Sequence, residues 1–262
     1  MLLVIDVGNT DTVIGIYNGK ELVKDWRIRT VNTITEDEFN VIAVNLLTKS
    51  DINIKYRDIS NIVISCVVPP LVNILNSFCH KYLGQSPLWV DAKSVNIMPI
   101  LYNNPDEVGA DRIANSIAAF EKYKTSLIVV DFGTATTFDS VSSDGEYLGG
   151  AICPGIMISA EALFLKASKL PRVEIFSRPE KVIGKDTASS IRSGIIYGYA
   201  GLVDGIVRRM KIEMGTAPKV IATGGLSDLM ADVCDSIEEV EPSLTLEGLR
   251  IISEKVGKGK RT

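Results

Sequence analysis

The stretch Leu127-Ile128-Val129-Val130-Asp131-Phe132-Gly133-Thr134-Ala135-Thr136-Thr137 joins an aliphatic run to a carboxylate, a glycine and three hydroxyls. Four large aliphatics in a row leave no polar face, so 127–130 reads as a strand buried on both sides. Asp131 then stands at the strand's carboxyl end. Ligands bind at that edge of an open α/β sheet, which puts Asp131 within reach of a metal ion or a phosphate. Gly133 lets backbone amides approach closely, and Thr134, Thr136 and Thr137 add hydroxyl donors.

The amino-terminal stretch Leu2-Leu3-Val4-Ile5-Asp6-Val7-Gly8-Asn9-Thr10 repeats this plan, with Asp6 and Asp131 separated by close to half the chain. After the first loop, 12–16 reads as a second strand, and Asn18-Gly19 is a strong hairpin signal that returns the chain into 21–28. After the second loop, 136–141 is followed by a turn at Ser143-Asp144-Gly145 and a strand through Tyr147. Two such halves resemble the actin-like phosphotransferases, in which two facing loops hold a nucleotide's phosphates in one cleft. The expected fold class is therefore α/β, with duplicated actin-like (ribonuclease H-like) domains, each a mixed sheet flanked by helices. The expected halves are 1–112 and 113–262.

At 262 residues and 46% hydrophobic, the chain can bury one large core or two smaller ones. Its net charge of −4 and pI of about 5.2 leave no basic excess for a phosphate backbone, so no nucleic-acid partner is expected. Cys66, Cys79, Cys153 and Cys234 lack metal-ligand spacing and read as small buried hydrophobes in a reducing compartment. Asp6 interrupts the first apolar run too early for a signal peptide, and no apolar segment approaches the roughly 18 residues of a membrane span. A cytoplasmic protein with no membrane partner is expected.

Between the loops, Thr35-Glu36-Asp37-Glu38 is a capping box ahead of a helical pattern of Phe39, Ile42, Ala43, Leu46 and Leu47. A buried strand at 61–66 precedes Pro69-Pro70, which opens a helix whose core face is Leu71, Ile74, Leu75 and Phe78. His80 is the only histidine and ends that helix, a poor place for a nucleophile's base. A short strand at 87–90 leads to a polar, turn-rich segment ending near Tyr102. Next comes Gly109-Ala110-Asp111-Arg112, ahead of a helix over 113–122. A carboxylate there is an ordinary N-cap on its own. With the planar fork of Arg112 beside it, the same place also suits an anion or a hydroxyl.

Leu148-Gly149-Gly150-Ala151-Ile152-Cys153-Pro154-Gly155 reads as a glycine-rich turn into a helix over 156–169. The segment 171–179 reads as a lid or connector. Gly184-Lys185-Asp186-Thr187 opens a long helix over 188–214, in which Gly194, Gly198, Gly201 and Gly205 read as a close-packing row. A strand at 219–222 ends in Thr223-Gly224-Gly225, where absent side chains let an adenosine approach. The basic tail 255–262 reads as frayed.

In this order, Asp6-Val7-Gly8-Asn9-Thr10, Gly109-Ala110-Asp111-Arg112, Asp131-Phe132-Gly133-Thr134-Ala135, Gly149 to Gly155 and Thr223-Gly224-Gly225 resemble type III pantothenate kinase over essentially the whole chain. The resemblance implies ATP-dependent phosphorylation of pantothenate to 4′-phosphopantothenate, the first committed step toward coenzyme A, by a homodimer. It implies that Asp6, Val7, Gly8, Asn9, Thr10, Asp11, Thr12 and Val13 form the ATP phosphate loop, joined by Thr134. It implies Asp111 as the proton acceptor. Pantothenate would be held by Tyr102, Gly109, Ala110, Asp111, Arg112 and, from the opposite subunit, Thr187. Asp131 would bind an activating monovalent cation, potassium or ammonium, with magnesium accompanying ATP. Two other readings share the phosphate loops: another actin-like small-molecule kinase, and a nucleotide-binding transcription accessory factor that does no chemistry.

Overall fold

A computed structural model describes residues 1–49, 54–175 and 177–259. These form two compact units, one made of Met1–Pro99, Asn103–Ala118 and the segment from Thr245 onward, the other of Ile100–Tyr102 and Ala119–Leu244. The single division at 112 and 113 expected from sequence differs from this interleaving. The chain's last helix belongs to the first unit, and the helix that contains residue 112 contributes residues to both.

The first unit opens with an antiparallel meander of β1 (Leu2–Val7), β2 (Asp11–Asn18) and β3 (Glu21–Arg29). Helix α1 (Glu36–Lys49) follows, then β4 (Asn61–Cys66) parallel to β1, helix α2 (Pro69–Phe78) and the short β5 (Leu88–Trp89). The sheet order is β3-β2-β1-β4-β5. The capping box forms as read: the Thr35 N–H donates to Glu38 Oε2 at 2.9 Å, and the Glu38 N–H donates to Thr35 Oγ1 at 3.2 Å. One sheet face buries Leu3, Ile5 and Ile64 against Phe39, Leu75 and Phe78. Phe39 and Phe78 meet edge to face at 4.9 Å.

Helix α3 (Ala110–Tyr123) leads to the second meander, β6 (Leu127–Phe132), β7 (Ala135–Val141) and β8 (Tyr147–Pro154). Helices α4 (Ile156–Lys166) and α5 (Thr187–Met214) follow, then β9 (Lys219–Thr223), α6 (Ser227–Ala231), β10 (Glu239–Val240) and α7 (Leu244–Gly259). The sheet order β10-β9-β6-β7-β8 is the first unit's order in the corresponding strands: a meander, then two parallel strands beside its first member. Its core joins Ile128, Val130 and Phe132 to Val220 and Ala222 of β9 and to Ile196, Tyr199 and Val203 of α5. The duplicated actin-like plan is thus present.

Four local readings change. The stretch 148–155 is mostly strand: β8 pairs with β7 through Ser140↔Gly149 and Ala135↔Pro154, because the meander's hydrogen bonds outlast the glycines. Helix α4 stops at Lys166. A Cβ on Gly194, Gly198, Gly201 or Gly205 would meet nothing within 4 Å, so that face of α5 is open within the chain and packs on nothing there. The tail remains helical to Gly259, and 260–262 lie outside the described residues.

Candidate active site

In the first unit, β1 and β2 are joined by a tight loop, and Asp6 stands half-buried where β1 ends. The Gly8 N–H donates to the Asp11 carbonyl at 3.0 Å, closing the turn. Thr30, just past β3, locks the loop from behind. Its N–H donates to the Thr10 carbonyl at 2.9 Å, its Oγ1 donates to the Gly8 carbonyl at 2.7 Å, and that hydroxyl lies 2.9 Å from Thr12 Oγ1. Asn9 and Thr10 stay exposed, Val7 and Thr12 are buried, and Val13 is half-buried in β2. Asp11 pairs with Arg27 at 3.1 Å on the surface. The loop is therefore held by its backbone and by threonines, with its tip open for an anion.

Asp111 falls in the first turn of α3 rather than at its cap, the Ile113 N–H donating to the Gly109 carbonyl. Asp111 Oδ1 accepts the Arg112 N–H at 2.8 Å. Burial pushes this carboxyl above its ordinary range, opposed by the Arg112 N–H and the Arg112 guanidinium charge. Arg112 and Ala110 are buried, and a Cβ on Gly109 would lie 2.6 Å from Asp111 Oδ1. Glycine at 109 is what leaves room for that carboxylate.

In the second unit the equivalent strand end carries Asp131, half-buried. The Gly133 N–H donates to the Ala135 carbonyl at 3.1 Å, and the Gly155 N–H donates to the Thr134 carbonyl at 3.1 Å. Gly155 sits so close that a Cβ there would lie 2.7 Å from the Gly133 carbonyl oxygen. Gly224 sits on the other flank, where a Cβ would lie 2.7 Å from the Phe132 nitrogen. Gly224 is thus required by the chain's own packing, and Gly225, with nothing within 4 Å of its Cβ position, is the open one. Tyr102 rests on β8, with Gly149 beneath its ring, and Thr187 is the exposed first residue of α5, after the N-cap Asp186. Thr187 lines an open groove of about 690 Å³ with Leu163, Leu170, Gly184 and Ser190. The structure therefore gathers Asp6 to Val13 in one loop, Gly109 to Arg112 at one helix start, and Asp131 with Thr134 at one strand end.

Among the described residues no three His, Cys, Asp or Glu side chains form a metal cage. Asp131 offers a carboxylate at a strand end in register with Thr137 and Thr223, oxygen-bearing side chains of the kind that suit a hard cation sharing its shell with phosphates. His80 is exposed, and Cys66, Cys79, Cys153 and Cys234 are all free thiols.

A model of the type III pantothenate kinase family matches residues 2–209. A curated type III pantothenate kinase of Desulforapulum autotrophicum is 64% identical over 97% of this chain and 97% of its own. The chain belongs to the type III pantothenate kinase family. Two solved structures share the fold at low identity. The Acidaminococcus fermentans (R)-2-hydroxyglutaryl-CoA dehydratase component A has TM-score 0.57 at 15% identity, covering 100% of this chain and 99% of its own. The inorganic polyphosphate/ATP-glucomannokinase of an Arthrobacter species has TM-score 0.53 at 13% identity, covering 98% of each chain. In this pantothenate kinase family member, sequence reasoning passed over Thr30, Asp139 and Tyr147. A threonine closing a strand carries no local signal. Asp139 is a carboxylate inside the strand pattern Thr136-Thr137-Phe138-Asp139-Ser140-Val141, a signal that the sequence does carry.

Proposed function

We propose that this chain transfers the γ-phosphoryl group of ATP to the primary hydroxyl of pantothenate, giving 4′-phosphopantothenate. The observation that carries this reading is Asp111: a carboxylate in a helix's first turn, its pKa raised by burial, with Arg112 beside it and Gly109 leaving it room. Phosphoryl transfer asks for positioning and charge neutralisation more than covalent chemistry. The loop Asp6 to Val13 binds the nucleotide's phosphates through backbone N–H groups and hydroxyls, and Thr134 adds a further contact. Tyr102, Gly109, Ala110 and Arg112 orient pantothenate, and Thr187 contributes from the opposite subunit. Asp111 accepts the proton of the attacking hydroxyl. Asp131 holds a potassium or ammonium ion, and magnesium accompanies ATP; when bound, these cations neutralise charge on the transferring phosphoryl group.

A homodimer is supported by the second unit's surface. Met157, Ile158, Leu163, Phe164 and Leu165 of α4 are exposed, as are Val182 and Ile183, and the glycine face of α5 is open. Contiguous exposed apolar side chains mark interaction surfaces. Four free thiols suit a reducing compartment such as the cytoplasm.

The test is ADP release from ATP, magnesium and potassium with and without pantothenate. Release that requires pantothenate supports the reading. Release only with a sugar or acetate keeps the phosphate loops and removes the substrate. Nucleotide binding without turnover on any acceptor removes the kinase reading altogether.

A further inference from the structure

Asp139 lies in the middle of β7 with no exposed surface. A carboxyl group there is costly to bury unless its oxygens take part in hydrogen bonds. Two hydroxyls donate to it: Tyr147 to Oδ1 at 2.8 Å and Thr137 to Oδ2 at 3.2 Å. Tyr147 is itself fully buried, at the start of β8. A phenylalanine and an aliphatic residue would fill the same space without burying polar groups, so the polar pair fixes an orientation beyond what packing needs.

What Tyr147 holds is the segment that carries Tyr102. Ile100 bridges to Tyr147, the Leu101 N–H donates to the Tyr147 carbonyl at 2.8 Å, and the Tyr102 and Tyr147 rings lie 6.3 Å apart, tilted by 56°. Gly149, at φ +123°, lies beneath the Tyr102 ring, where a Cβ would sit 3.6 Å from Cε2. Ser140 Oγ donates to the Gly149 carbonyl at 2.8 Å and holds this irregular strand end in place. Tyr102 is half-exposed on a seat whose Tyr147 and Asp139 are buried.

We infer that Asp139 and Tyr147 are positioning residues that fix the Tyr102 ring for pantothenate. This rests on the reading in which Tyr102 contacts that substrate. The expected signature is a pantothenate-specific rise in KM. In the full-length enzyme, Tyr147→Phe raises the pantothenate KM about tenfold, while kcat and the ATP KM stay within about twofold. Asp139→Leu, which keeps about the same volume and removes the acceptor for the Tyr147 hydroxyl, moves the same parameter in the same direction and carries the test if Tyr147→Phe does not fold. In a Tyr102→Ala background, where the pantothenate KM is already raised, either change adds nothing, because coupled residues are not additive.

The inference is overturned if either variant lowers kcat and raises both KM values together, or if its effect persists undiminished in the Tyr102→Ala background. It is also overturned if Tyr102→Ala leaves the pantothenate KM untouched, which would spare the kinase assignment. Wild-type enzyme that releases no ADP with pantothenate overturns that assignment as well.

Discussion

A Cβ on residue 224 would lie 2.5 Å from Asp131 Oδ1, so Gly224 and the Asp131 carboxylate occupy their positions as a matched pair. The parallel pairing of β9 with β6 brings them together, Thr223 standing in register with Asp131 and Gly224 following at φ +92°. Gly224→Ala therefore meets backbone strain of roughly 1–3 kcal/mol as well as the overlap. Each kcal/mol lowers Tm by about 2–4 °C in a chain of this size. Gly225→Ala enters open space and is expected to leave Tm nearly unchanged. Equal losses in the two variants would show that the pairing with Asp131 is not what constrains the turn.

Asp111→Asn is expected to lower turnover by about 10²- to 10⁴-fold, the range of a positioned base. Its effect on stability runs the other way. Burial favours the neutral acid, so folded Asp111 keeps its proton to higher pH than the unfolded chain does. The stability this gives is full below the unfolded carboxyl's range and is lost as pH rises through the folded value. At neutral pH the wild type therefore carries the cost of a half-buried, partly desolvated carboxylate that asparagine lacks. Thermal unfolding across the pH range should find Asp111→Asn at least as stable as wild type near neutrality, its advantage shrinking toward acid. A variant markedly less stable at neutral pH would contradict the burial argument, and one with normal turnover would remove Asp111 from the proton-accepting role.

Thr30→Val keeps the shape of the side chain that locks the loop between β1 and β2 and deletes its bonds to the Gly8 carbonyl and to Thr12 Oγ1. The fold should lose about 1–3 kcal/mol, the net worth of two hydrogen bonds at about 0.5–1.5 kcal/mol each. The ATP KM should rise several-fold with the pantothenate KM unchanged, because the loop tip would no longer be held in one conformation. Arg27→Ala is the control. Its ion pair with Asp11 is exposed, with 54% and 39% of the two side chains' surfaces accessible, and such pairs contribute about 0–1 kcal/mol. If Thr30→Val leaves the ATP KM where it was, the loop does not depend on this lock.

The duplicated plan was legible because it is written in short-range patterns: an aliphatic run, a carboxylate, a glycine and a hairpin, twice. Each pattern constrains residues a few positions apart, and in both units the strand of the Asp loop pairs with the hairpin that follows it. Partners brought from a distance were not legible. Gly15 in β2 faces Leu246 of α7, and a Cβ on Gly248 would lie 2.6 Å from the Ala114 carbonyl carbon, contacts that place the last helix with the first unit. Nothing in the helical periodicity of 244–259 says which sheet it will cover. The glycines of 149–155 misled for the opposite reason. Glycine is ordinary turn punctuation, but here Gly155 and Gly149 are set by close approach to Thr134 and Tyr102 from other parts of the chain.

Replacing potassium by a bulky cation that cannot enter an oxygen shell, at constant ionic strength, is expected to lower turnover by about tenfold or more, since a cation at a transferring phosphoryl group contributes several kcal/mol. Asp131→Asn removes the carboxylate while keeping its volume against Gly224, and its turnover should be low and indifferent to potassium. Both variants of the experiment need nucleotide binding measured separately, because loss of ATP affinity would mimic loss of activation. Potassium titrations of wild type and Asp131→Asn at saturating ATP and pantothenate separate the two effects. A full potassium response in Asp131→Asn would place the activating cation on other ligands and leave Asp131 as a support for the Gly133 turn.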